Sequence, residues 1–98
     1  MLLEVVIRRE VQVDLLEAHD WYERQREGLG TQFLDEVTAA IERIRANPTG
    51  YVKVHHGVRR AASRRFPYGV FYQHEPGRVT VIAVLHFSRD PELWRDRA

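Results

Sequence analysis

The residues that could do chemistry in this 98-residue chain are a set of arginines and a few histidines. Arg59, Arg60, Arg64 and Arg65 cluster ahead of an aromatic and β-branched run, and His55, His56 and His86 flank that region. Cleavage of a phosphodiester by acid-base chemistry needs three things: a base for the attacking hydroxyl, an acid for the leaving oxygen, and cations for the developing charge. The arginines supply cations but no base, because a guanidinium stays protonated. The histidines are the groups that titrate near neutral pH. His86 ends an apolar strand, where it serves either in a catalytic pair or as a hydrogen-bonded structural imidazole. His55 and His56 have no Asp or Glu at metal-ligand spacing, so no zinc site is expected.

The arginine cluster also has two readings. On a strand, Val58 and Arg60 share one face while Arg59 and Ser63 share the other, so only part of the cluster presents one patch. Such a patch suits an anionic partner; equally, charge on an outer strand discourages edge-to-edge pairing. Residues 1–50 carry six basic and ten acidic side chains (−4), and residues 51–98 carry nine and four (+5), within an overall charge of +1. The only lysine is Lys53. Arginine favours bidentate contact with carboxylate or phosphate, although a GC-rich genome produces the same bias.

The elements that position these groups follow from periodicity. Residues 2–8 read as a strand. Over residues 10–27, Val11, Leu15, Ala18, Trp21 and Tyr22 recur at helical spacing, with Glu10, Asp14, Glu17, Asp20, Glu23 and Arg24 assigned to the polar side. Gly28 and Gly30 interrupt this helix. Thr31 is a cap for a second helix whose stripe is Phe33, Leu34, Val37, Ala40, Ile41 and Ile44. Asn47-Pro48 closes it. So short a link makes the two helices an antiparallel hairpin against one sheet face.

Residues 49–57 read as a loop. Three antiparallel strands follow: 58–63, then a run containing Tyr68, Val70 and Tyr72, then the nearly unbroken apolar 79–85, expected to be covered on both faces. Pro76-Gly77 fits the hairpin between the last two, and Pro91 opens a final helical turn. The chain is one domain over residues 1–98 with an α+β layer architecture. It has no cysteine, hence no disulfide or thiolate site. No signal-peptide core and no run of about 20 apolar residues is present, so a cytoplasmic protein without membrane or cofactor is expected.

Several of these residues together resemble a known family. Asp14-Leu15, Ala18, Trp21-Tyr22-Glu23, Gly28-Leu29-Gly30, Phe33-Leu34, Asn47-Pro48, Gly57 to Arg60, Arg65 to Tyr68, Phe71-Tyr72, Val81 to His86 and Arg89-Asp90-Pro91 are similar to the ParE branch of the RelE/ParE toxins of type II toxin-antitoxin modules. The resemblance implies a β-α-α-β-β-β fold, the hairpin packed on a mainly antiparallel four-stranded sheet. It also implies either messenger RNA cleavage, as in RelE-like members, or poisoning of DNA gyrase, as in ParE-like ones.

The ribonuclease set is largely missing at matching positions. Gly69 stands where an arginine is common, Arg60 and Ala62 fall near the lysines, Phe87 falls near the late arginine with Arg89 two residues on, and Leu93 or Trp94 falls near the tyrosine. A gyrase poison with no catalytic residues is therefore the expectation. The alternatives are an atypical ribonuclease using Arg60, His86 and Arg89, or a degenerate toxin acting only as corepressor with its antitoxin.

The implied partner is a ParD-like ribbon-helix-helix antitoxin, through which alone operator DNA is reached. Its expected contacts are Leu16, Trp21, Leu34, Val37, Arg59, Arg60 and Arg65. Target contacts are expected at Arg89, Leu93, Trp94 and Arg95, so truncation after Asp90 should abolish growth arrest while sparing antitoxin binding.

Overall fold

The computed structural model describes residues 3–98. The chain order is β1 (Glu4–Ile7), α1 (Arg9–Gln25), α2 (Leu29–Ala46), β2 (Val52–His55), β3 (Val58–Ala62), β4 (Tyr68–Glu75), β5 (Arg78–His86) and α3 (Glu92–Arg95). Of the strand expected over residues 2–8, Leu2 lies outside the described residues. The sheet has five strands in the order β1-β5-β4-β3-β2, one more than expected. The extra strand is β2, within the segment read as a loop. Val52-Lys53-Val54-His55 does alternate apolar and polar, but the run is only four residues long, next to Gly50 and Gly57, and the strand it forms is mostly exposed, so it does not stand out from a loop.

β1 pairs with β5 in parallel, while the other strands run antiparallel to their neighbours. The apolar run of β5 sits between β1 and β4 and is buried on both faces, as its composition required. Val79, Val81 and Val84 face the helical hairpin, and Ile82, Ala83 and Leu85 face the other side. Strict alternation would put Ile82 and Ala83 on opposite faces. A register shift opposite Phe71 and Tyr72 inserts one residue and resets the parity. The β4–β5 hairpin turns on Pro76 and Gly77, the glycine at φ 76°.

α1 and α2 bury Val11, Ala18, Tyr22, Phe33, Val37, Ala40 and Ile44 against Val70, Tyr72, Val79, Val81 and Val84. Tyr72 is fully buried and its hydroxyl donates to the Pro48 carbonyl at 2.6 Å, tying the end of the hairpin to the sheet. Burial holds that phenol protonated, with its pKa pushed up to about 12. One member of the expected polar side of α1 belongs inside: Asp14 is 8% exposed. Trp21, expected in the apolar stripe, is 51% exposed.

The hairpin link differs from the expected Thr31 cap. α2 starts at Leu29, with Gly28 at φ 87° before it and no side-chain cap of its own. Glu23 of α1 does the capping instead, accepting from Gly28 N–H at 3.2 Å and Gly30 N–H at 2.8 Å. Those amide donors hold the Glu23 carboxyl below its ordinary value of 4.5. A depressed folded pKa contributes stability above 4.5 that is lost as pH falls through the folded value. Glu23→Gln is therefore expected to lower the thermal midpoint at pH 7. The gap to wild type should shrink in melts taken progressively below pH 4.5.

The second face of the sheet carries Val58, Phe71, Ile82, Ala83 and Leu85, covered by Trp94 of α3. No helix among the described residues is long and apolar enough to cross a membrane.

Candidate functional site

The arginines and histidines do not assemble into one centre. Arg60 lies on the α3 face of the sheet, its guanidinium carbon 5.1 Å from the centre of the Phe87 ring. Its side chain passes over Gly69, where an added Cβ would come within 2.9 Å of Arg60 Cδ and 3.1 Å of the Phe87 ring. Gly69 thus vacates the space that lets Arg60 lie flat. His86 is on the opposite, hairpin-facing side, edge-on to Tyr68 with ring centres 5.3 Å apart. Its Nδ1 accepts from Ser88 N–H at 2.9 Å, which in the neutral ring leaves the proton on Nε2. Burial pushes the Tyr68 phenol above 10.0, partly offset by Arg89, so near neutral pH it donates and does not act as a base. Arg60, His86 and Arg89, named as a possible catalytic set, are thus split between two faces.

The arginine patch is divided as well. Arg59 donates to the Thr49 and Tyr51 carbonyls at 3.2 and 2.7 Å, holding the segment that leads into β2. Arg65 reaches Gln32 Oε1 of α2 at 3.0 Å and lies over Phe66. Arg60 projects from the α3 face.

Two surfaces flank α1. The first is a shallow apolar groove of about 390 Å³ along the outside of the hairpin, lined by Gln12, Leu15, Leu16, His19 and Leu34. Leu16 is 62% exposed there and Leu34 is half-buried. Val37, expected as a contact beside them, is only 3% exposed and belongs to the core, because its turn of α2 faces the sheet. The second is a cleft of about 440 Å³ on the other flank of α1, lined by Trp21, Tyr22, Pro67, Tyr68, His86, Ser88 and Arg89. Trp21 therefore belongs to the cleft and not to the leucine groove.

The C-terminal segment is split in role. Trp94 is buried, stacked on Phe71 with ring centres 4.8 Å apart and planes 18° from parallel. Leu93 packs half-buried beside it. Arg89 and Arg95 are exposed, the latter over the Trp94 ring at 5.4 Å.

Sequence reasoning missed Arg97. Its guanidinium pairs bidentately with Asp14, at 2.7 Å to Oδ2 and 3.0 Å to Oδ1, and donates to the Ile82 carbonyl at 3.1 Å. The hydrogen bond that Arg97 donates to the Asp14 carboxylate raises the Arg97 pKa above its ordinary value. Arg8 closes the arrangement by donating to the Arg97 carbonyl. The one sequence signal was an Asp four residues before Ala18 and three after Val11, on the buried face of α1.

A family model described as "ParE toxin of type II toxin-antitoxin system, parDE" matches residues 5–91. Among solved structures, a chain of "Chromosomal ParDE TA system from P. aeruginosa" matches with TM-score 0.75 and 15% identity over 87% of this chain and 96% of that one, a likeness of fold. No curated protein matches the chain.

Proposed function

The chain belongs to the ParE toxin family of type II toxin-antitoxin systems, and from that membership we propose that it arrests growth by inhibiting DNA gyrase and is neutralised in the cytoplasm by a ParD-like antitoxin. The observation that carries the gyrase reading over RNA cleavage is the split of Arg60 from His86 and Arg89 across two sheet faces. Hydroxyl activation and phosphorane stabilisation require those groups around one phosphate. A protein poison needs only exposed contact groups, and Arg89 and Arg95 are both exposed cations.

The antitoxin reading is supported by the groove of Leu15, Leu16 and Leu34, which suits the apolar face of a docked helix. The partner's ribbon-helix-helix part carries any contact with operator DNA. Leu16→Asp is expected to weaken antitoxin binding at least tenfold, about 1.4 kcal/mol or more, as for a buried apolar interface residue. The thermal midpoint of the free chain should stay within a degree or two, since Leu16 is exposed. Unchanged affinity in titration calorimetry would move the interface elsewhere.

The target is tested by inducing the chain alone and following plasmid supercoiling, the DNA-damage response and transcript integrity together. Gyrase-linked DNA breaks with intact transcripts are expected. Transcripts cut at codon positions in cells with undamaged DNA would overturn the reading.

A further inference from the structure

Beyond Val81 one edge of β5 has no strand pairing, and side chains satisfy part of it. β1 pairs with β5 only from Glu4↔Arg78 to Ile7↔Val81, and Arg8 N–H then closes on the Val81 carbonyl. Because β1 is the outer strand on that side, no strand among the described residues lies beside residues 82–86 there. Within an antiparallel strand the N–H and C=O of one residue point to the same edge, and every second residue repeats the direction. On this edge Ile82 C=O is taken by Arg97 and Val84 N–H by Asp14 at 3.0 Å. The Val84 carbonyl and the His86 N–H come next, at the inner end of the cleft bounded by Asp14, Glu17, Ala18 and Trp21 of α1.

The walls are matched to a peptide. Trp21 presents half its surface to the cleft mouth. The Arg89 guanidinium has no ion-pair partner among the described residues. Glu17, on α1, lines the inner part of the cleft.

We infer that this cleft receives a short extended segment of the antitoxin, docked against the open β5 edge, with an acidic side chain against Arg89 and an apolar side chain on Trp21. This rests on the antitoxin reading above and adds a second contact beyond the leucine groove. A strand edge is complementary to another backbone, which gives register. An unpaired guanidinium selects a carboxylate with bidentate geometry. Glu17 repels a second acidic residue further in, so the segment carries its carboxylate at the mouth and a neutral or basic residue inside. Occupancy covers Arg89, so the antitoxin masks a residue of the proposed target surface directly.

The test uses the complex of this chain with its antitoxin, purified from co-expression, beside the free chain. Amide exchange at His86 is expected to slow at least tenfold more than the global change, and Trp21 emission should shift to the blue. Arg89→Glu should raise the Kd about tenfold or more with the thermal midpoint unchanged, and a Glu→Lys exchange at the facing antitoxin residue should restore affinity. If the complex forms and depends on Leu16 while His86 exchange and the Arg89→Glu affinity stay at wild-type values, the cleft inference fails and the antitoxin reading stands. If no complex forms, both fall.

Discussion

A chain ended at Asp90 is expected to lose its cooperative thermal transition, not merely its growth-arresting activity. The deletion removes Trp94, which is 7% exposed and closes the second sheet face over Phe71, Val58, Ile82 and Leu85. Deleting a buried tryptophan side chain costs about 3–5 kcal/mol. The same deletion removes Arg97 and leaves the Asp14 carboxylate buried without its cation, a further cost of about 3 kcal/mol. A domain of this size has a total stability of about 5–15 kcal/mol, so the sum consumes roughly half to all of it. Circular dichroism melts of full-length, Trp94→Ala and truncated chains check this: a graded loss of midpoint is expected, ending in no cooperative transition. A truncated chain melting within a few degrees of full length would show that α3 covers nothing essential. Hence truncation cannot separate target contact from folding, and substitution of the exposed Arg89 and Arg95 is the appropriate probe.

Arg97→Ala alone should destabilise the protein by about 3 kcal/mol, because a buried ion pair broken on one side leaves its partner uncompensated. Asp14→Ala should cost less, since the Arg97 guanidinium is at the protein's edge, with 21% of its side chain exposed, and can turn toward water. The double variant Asp14→Leu with Arg97→Met replaces the pair by apolar groups and should recover part of the loss. A coupling of about 1–3 kcal/mol between the sites is the signature. Denaturant titrations of the four proteins measure it; additive effects would mean that the pair holds nothing that packing does not. Both substitutions also free the Ile82 carbonyl and Val84 amide on the β5 edge, so His86 exchange should quicken along with the loss of stability.

How much was legible varied with the physics of each element. Both helices, β4 and β5 were readable because their stripes are long and apolar, and burial enforces the period. β2 was not, because an edge strand buries little and an alternation of only four residues, VKVH, is too short to stand out. The cap on α2 was misplaced to Thr31 because a carboxylate from the preceding helix outcompetes a local hydroxyl once the turn brings Glu23 over Gly28 and Gly30. Val37 and Trp21 were assigned to a shared contact surface by helical spacing, but spacing gives the angle around an axis and not what stands opposite.

By itself the sequence determined the family pattern, the α+β order and the double-sided burial of β5, since these follow from composition and period along the chain. It also determined that Gly69 offers no charge at its position. Only the tertiary structure decided that Arg60 and His86 stand on opposite faces, that Trp94 is core, and that Asp14 meets Arg97 across 83 residues. Those outcomes depend on strand order, on a one-residue register shift and on where β1 stops. Each is fixed by long-range packing, and no local propensity encodes it.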